Sequence, residues 1–267
     1  MGAVELEASD FAEVLPLYRS STLWFPFIAA VIKNSQRGQV FVDRQPNPKS
    51  ALVTNNFGFM YLIGAEVNPE FDDTLVELIS GAKRIKSSYL LWYSPPQAWQ
   101  QKLDVAGARC RERIRYEFHG SSSGPVNCPS GFEMRRLDAE LIPKTKKFNV
   151  EIDSRFWSSA QDFIENGLGF CIIKDDDVVS ICYAAAISDG LAEIDVATDE
   201  AYRQQGLAAL VTRQFIRECL TRGITPAWDC FEYNTGSRRL AEGLGFSELV
   251  HYPFYSFNIP LSLGHGD

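Results

Sequence analysis

Apolar and polar positions follow two periods in the second half of the chain. Residues 132–137 alternate as a short strand, and residues 153–166 carry Phe156, Trp157, Ala160 and Phe163 at helical spacing before Gly167. Residues 170–174 and 178–185 are apolar strand runs across the turn Asp175-Asp176-Asp177, which predicts a hairpin. Residues 191–196 alternate as a further strand, and the helical period then runs from Leu207 to about Arg222, where Gly223 stops it. A strand over 227–231, a short helix over 234–243 and strand-like residues 249–257 complete the series. The order βαβββαβαβ predicts an α/β fold with a mixed sheet and helices on its faces.

The first half is less regular. Residues 8–19 read as helical with Pro16 interrupting, and Phe41, 51–54 and 59–63 as strands. Residues 73–79 read as helix, 89–93 as strand, 97–103 as short helix and 114–118 as a cleanly alternating strand. Three strands, then helix, strand, helix and strand, echo the second half and suggest a smaller α/β domain that is a degenerate repeat of it. Clustered Gly, Ser and Pro from His119 to Gly131 read as a linker. The expected division is a domain over 1–120, a linker over 121–131 and a second domain over 132–267.

Composition narrows the function classes. The chain has 267 residues and a net charge of −8, from 34 acidic and 26 basic side chains, which argues against a nucleic-acid footprint. Six cysteines form no C-x-x-C pair and three histidines offer no zinc spacing, so no metal is expected. The thiols read as buried core residues of a cytoplasmic protein. The acidic first ten residues are no signal peptide, and no apolar run approaches the roughly 20 residues that span a bilayer, so no membrane partner is expected. Monomer and homodimer stay open.

The most informative stretch is Tyr202-Arg203-Gln204-Gln205-Gly206-Leu207-Ala208, between a strand and a helix. The first N–H groups of a helix have no intrahelical partner, and the helix dipole adds positive potential there. With Gly206 allowing close approach and Arg203 adding a charged donor, the layout suits a phosphate. Downstream lie Trp228-Asp229-Cys230, Asn234, Ser237, Leu240-Ala241 and Leu244-Gly245-Phe246.

This series resembles the GCN5-related N-acetyltransferases (GNAT superfamily), whose acyl-CoA loop reads Arg/Gln-x-x-Gly-x-Gly/Ala and whose second block runs from an Asn to Leu-Gly-Phe. Chance explains one such motif readily and the whole series poorly. Asp195-x-x-Thr198, Tyr202-Arg203-x-x-Gly206-Leu207-Ala208, Pro226-x-Trp228, Asn234-x-x-Ser237 and Leu240-Ala241 are similar to the zwittermicin-resistance-type branch, which also carries an N-terminal domain of about this size.

The resemblance implies a GNAT fold in the C-terminal domain and acetyl-CoA-dependent acetylation of a small-molecule primary amine, by direct attack in a ternary complex. It implies that the amides of Gln204, Gln205, Gly206, Leu207 and Ala208, with Arg203, hold the pyrophosphate. The main chain of Val196, Ala197 and Thr198 would hold the pantetheine arm, and Asn234 and Ser237 would flank the cofactor. An ammonium must lose a proton before it attacks a thioester, so a carboxylate belongs nearby. Glu193 and Asp195, on one face of their strand, and Asp229 on the next strand are the candidates for base or amine recognition. The rival reading for each is an ion pair on a solvated face. Where many members carry a Tyr that protonates the thiolate, this chain has Ala241. That departure keeps open a non-catalytic acyl-CoA-binding or regulatory module, beside a protein or peptide N-acetyltransferase. Lys144, Lys146 and Lys147 read as solvated, Trp228 as core packing and Cys230 as a core thiol.

Overall fold

The computed structural model describes residues 2–64, 68–81, 90–105, 107–121 and 126–257. Tyr89 of the expected strand over 89–93 and residues 122–125 of the expected linker lie outside them. The chain forms two compact units, one holding the chain up to Arg113 with the segment from Tyr252, the other Ile114–His251.

The first unit contains β1 (Val4–Glu5), a 3-10 turn at Ala8–Val14, α1 (Leu15–Arg19), α2 (Pro26–Ile32), β2 (Gly38–Val42), β3 (Ser50–Asn55) and β4 (Phe59–Gly64). There follow α3 (Pro69–Gly81), β5 (Leu90–Tyr93), α4 (Gln97–Val105) and the first residues of β6 (Arg109–Phe118). Strands β2, β3 and β4 form an antiparallel meander, and β4 then pairs β5 in parallel at Phe59↔Leu91 and Met60↔Trp92. Helix α2 has no counterpart in the sequence expectation. All seven of its residues are buried, so no polar face marks a helical period. The start of α3 is closed by Asn68, whose Oδ1 accepts the Phe71 N–H at 3.2 Å, and Glu70 and Asp72 lie in its first turn.

The second unit contains β7 (Glu133–Arg136), α5 (Ala160–Asn166), β8 (Gly169–Lys174), β9 (Asp177–Ser188), β10 (Leu191–Thr198), α6 (Leu207–Thr221), β11 (Thr225–Phe231), α7 (Thr235–Gly243) and the start of β12 (Phe246–Phe257). This is the expected order, and from β8 to β12 it repeats the run from β2 to β6. One expected element differs. Residues 153–166 are not one helix but a π-helical turn at Ile152–Phe156 followed by α5, because Ser159 caps α5 by accepting the Asp162 N–H at 3.1 Å. Both hairpins are closed by two residues at positive φ, Asp175 and Asp176 (50° and 63°), then Asp189 and Gly190 (51° and 73°). That geometry matches the twist of antiparallel strands, and short polar residues tolerate it. Helix α6 buries Leu207, Val211, Phe215 and Cys219 against Cys182, Ala184 and Ala192 of the sheet. Leu207, Val211 and Phe215 each contribute about 1.5–3 kcal/mol by this burial.

Candidate active site

Strand β10 carries the site. Along one edge it pairs antiparallel with β9 from Leu191 to Thr198. Along the other it pairs in parallel with β11 only at Leu191↔Thr225, Ala192↔Pro226 and Glu193↔Ala227. At the same point the β9–β10 register slips between Glu193 and Ile194, leaving Ala185 as the extra residue in β9. The Trp157 indole N–H donates to the Ala184 carbonyl at 2.9 Å and braces this bulge. Val196, Ala197 and Thr198 therefore stand where β10 has one strand partner, and main-chain groups directed toward β11 are no longer engaged by it.

Beyond Thr198 the chain makes a 3-10 turn at Glu200–Tyr202 and enters α6 through Arg203, Gln204, Gln205 and Gly206, all exposed. Gln204 and Gly206 take positive φ of 61° and 76°. A Cβ at Gly206 would meet no protein atom within 4 Å, so the demand for glycine comes from the backbone angle. No side chain caps α6 and no acid lies in its first turn. Its leading N–H groups, including those of Leu207 and Ala208, thus present donors with dipolar positive potential. Arg203 adds a guanidinium beside them, 3.6 Å from Glu200.

The three candidate carboxylates separate into two environments. Glu193 is buried, and the Arg115 guanidinium donates from Nη1 to its two oxygens at 3.0 and 2.7 Å. The same Nη1 lies 3.8 Å from Asp229, whose side chain is 2% exposed. Arg115 comes from β6, so one cation ties three strands where β10 and β11 part. Asp195 is only half-buried, and the Tyr183 hydroxyl donates to its Oδ2 at 2.6 Å. Burial, then the Asp195 charge, push the Tyr183 phenol well above its ordinary range. The rival reading of an ion pair thus holds for Glu193 and Asp229, but the pairing is with one buried guanidinium and not on a solvated face.

Asn234 and Ser237 have structural partners. Asn234 Oδ1 accepts the Ser237 N–H at 2.9 Å and caps α7, and Ser237 Oγ accepts the Trp228 indole N–H at 3.1 Å. Trp228 and Cys230 are buried against Ala241 and Phe246, as core residues. Cys110, by contrast, is exposed and Cys128 half-buried, so the expectation of six core thiols holds for four. Lys147 also departs from expectation. It bridges Asp177 at 2.6 Å and Asp199 at 3.0 Å, and Asp199 in turn accepts the Ala201 N–H at the start of the loop. Lys174 sits over the Phe132 and Tyr202 rings, at 5.1 and 5.5 Å. Sequence reasoning missed Arg115, Tyr183 and these two lysine braces, whose partners lie far along the chain.

The parted parallel strands and the uncapped glycine turn define a GNAT-type fold, and solved structures agree. The chain is similar to a GCN5-related N-acetyltransferase-like protein from Streptococcus suis 89/1591, with TM-score 0.73, 22% identity, and coverage of 93% of this chain and 99% of that one. It is similar as well to a tandem GNAT protein from the clavulanic acid biosynthesis pathway, with TM-score 0.65, 12% identity, and coverage of 96% and 97%. The Bacillus subtilis (strain 168) protein named "Uncharacterized N-acetyltransferase YdfB" is 29% identical over 234 residues, spanning 86% of this chain and 89% of that protein. The model of the family described as GNAT acetyltransferase matches residues 20–255. The chain belongs to the GNAT acetyltransferase family and is an N-acetyltransferase. The match reaches back to residue 20, far upstream of the motifs that carry the resemblance in the sequence. Among the described residues, no helix is long and apolar enough to cross a membrane.

Proposed function

We propose that the chain transfers the acetyl group of acetyl-CoA to the primary amine of a small molecule, by direct attack within a ternary complex. The observation that carries this reading is the uncapped start of α6 at Gly206, placed directly after a strand whose parallel partner leaves it. Together they offer donors for a pyrophosphate and an extended main-chain edge for an amide-bearing arm. In this reading Arg203 and the amides of Gln204, Gln205, Gly206, Leu207 and Ala208 take the pyrophosphate. The main chain of Val196, Ala197 and Thr198 takes the pantetheine arm, with Asn234 and Ser237 at the flank of the slot. Acetyl-CoA supplies an activated thioester carbonyl, and the protein's part is to position it, desolvate the slot and remove a proton from the amine.

Calorimetric titration of the purified protein with acetyl-CoA tests the reading, beside Gly206→Ala and Gly206→Glu. Both variants put a side chain at a left-handed φ, a strain of about 1–2 kcal/mol. Only the glutamate adds negative charge where the pyrophosphate would lie. The parent is expected to bind in the micromolar range, Gly206→Ala about tenfold more weakly, and Gly206→Glu beyond detection while still melting cooperatively. A folded parent that binds no acetyl-CoA, or a Gly206→Glu variant that binds as the parent does, overturns it. A thiol-release assay across primary amines then tests the acceptor class.

A further inference from the structure

We propose that Asp195 is the carboxylate that deprotonates the acceptor ammonium and that Tyr183 is the residue that positions it. The inference rests on the amine-acetylation reading and deepens it, since that reading leaves three carboxylates undistinguished.

Glu193 and Asp229 are poor bases by their surroundings. Both side chains are buried, with Glu193 holding the Arg115 guanidinium through its two oxygens and Asp229 within 3.8 Å of the same nitrogen. A proton delivered to either would displace a buried ionic contact, and neither carboxylate is exposed to an incoming amine. Asp195 differs on both counts. It is half-buried, and among the described residues its side chain makes one hydrogen bond, from the Tyr183 hydroxyl to Oδ2. Oδ1 is left to accept a proton. Asp195 also lies on β10 beyond its last pairing with β11 at Glu193↔Ala227, directly before Val196, Ala197 and Thr198.

Tyr183 has almost no freedom to do anything else. It is fully buried, directly opposite Asp195 in the β9–β10 register. Its ring meets Phe163 of α5 edge-on at 6.3 Å, and Phe163 meets Trp157 at 5.6 Å, the residue whose indole is bonded to the neighbouring Ala184 carbonyl. A phenol locked in this way holds one carboxylate oxygen at one place. Being buried, it acts through Asp195 and does not touch substrate.

The step balances. Asp195 takes one proton from the ammonium, and the freed nitrogen lone pair forms the C–N bond as the C–S bond breaks. The electron pair of that bond leaves on sulfur, which takes the second nitrogen proton, giving amide, thiol and a protonated Asp195 that returns its proton to solvent.

The test is steady-state thiol release from acetyl-CoA with n-butylamine, ethanolamine, spermidine and lysine as acceptors, on the whole chain. Asp195→Asn keeps an oxygen for the Tyr183 hydroxyl, and Tyr183→Phe keeps the ring against Phe163, so both are expected to fold, with melting as the control. On an amine the parent accepts, Asp195→Asn should lower kcat by at least about 100-fold. Tyr183→Phe should lower kcat by about tenfold with the KM for acetyl-CoA within about twofold. The double variant should be no slower than Asp195→Asn alone, because a positioning residue has nothing left to position. An Asp195→Asn enzyme with near-parental kcat overturns the inference, as does a Tyr183→Phe loss that multiplies with that of Asp195→Asn. A parent that binds acetyl-CoA but acetylates none of the amines removes the small-molecule reading and the inference with it, a result distinct from failure of the variants alone.

Discussion

Replacing Arg115 by methionine should cost this fold about 3–5 kcal/mol. The Arg115 side chain is 7% exposed, that of Glu193 8% and that of Asp229 2%, so solvent does little to screen the cluster. At an effective dielectric near 20, unit charges about 4 Å apart attract by about 4 kcal/mol. Removing one partner of a buried pair costs about 3–5 kcal/mol, because the other charge stays behind. Here two carboxylates stay behind, on neighbouring strands that lose their common counter-ion. For a protein of this size each kcal/mol lowers Tm by about 2–4 °C, so Arg115→Met should melt about 6–20 °C below the parent. Adding Glu193→Gln removes one of the stranded charges and should recover about half of the loss. The assay is calorimetric melting of the parent, Arg115→Met, Glu193→Gln and the double variant, read as a double-mutant cycle. A loss of less than about 3 °C for Arg115→Met, or strictly additive effects, would refute the claim that the guanidinium balances buried charge.

Two further outcomes follow from the same bookkeeping of partners. Hydrogen bonds from Lys147 and the Ala201 N–H hold the Asp199 carboxyl below its ordinary 3.8, and burial lowers the Lys147 ammonium less than Asp177 and Asp199 raise it above 10.5. The stability this brace adds is therefore present between those two values, lost as pH falls through the folded Asp199 value and lost as pH rises through that of Lys147. The Tm gap between parent and Asp199→Asn should stay level from about pH 5 to pH 9 and shrink below about pH 4. Ser159→Ala removes the cap of α5, so about 1 kcal/mol and a Tm drop of about 2–4 °C are expected by the same melting assay.

Much of the second unit was legible because its elements announce their ends. Gly167, the Asp175-Asp176 turn, Gly206, Gly223 and Asn234 each stand at or beside a boundary that the structure confirms. The failures have equally local causes. Phe156, Trp157, Ala160 and Phe163 keep helical spacing across a stretch that Ser159 interrupts, since spacing alone does not register a cap. Helix α2 has no polar face, and a wholly buried helix shows no period. The site was read as residue types and not as pairings, and the reason lies in one bulge. Counting back from the Ser188↔Leu191 pair, unbroken register would set Tyr183 opposite Val196; the extra residue at Ala185 sets it opposite Asp195 instead. Arg115 presented the same difficulty, its partner Glu193 lying 78 residues away.

The repeated element order shows why one helix start in this chain suits a phosphate and its counterpart does not. Both α3 and α6 follow a strand that goes on to pair in parallel with the next strand. A helix start binds an anion when its first N–H groups are open and its dipole is uncompensated. At α3 neither condition holds: Asn68 takes the Phe71 N–H, and Glu70 and Asp72 place negative charge in the first turn. At α6 both hold, because Gly206 carries no capping group and the residues after it are apolar. The backbone plan is common to the two helices. What separates them is a capping amide and two carboxylates, so the capacity to hold a pyrophosphate follows from side chains at a helix start and can be gained or lost without altering the fold.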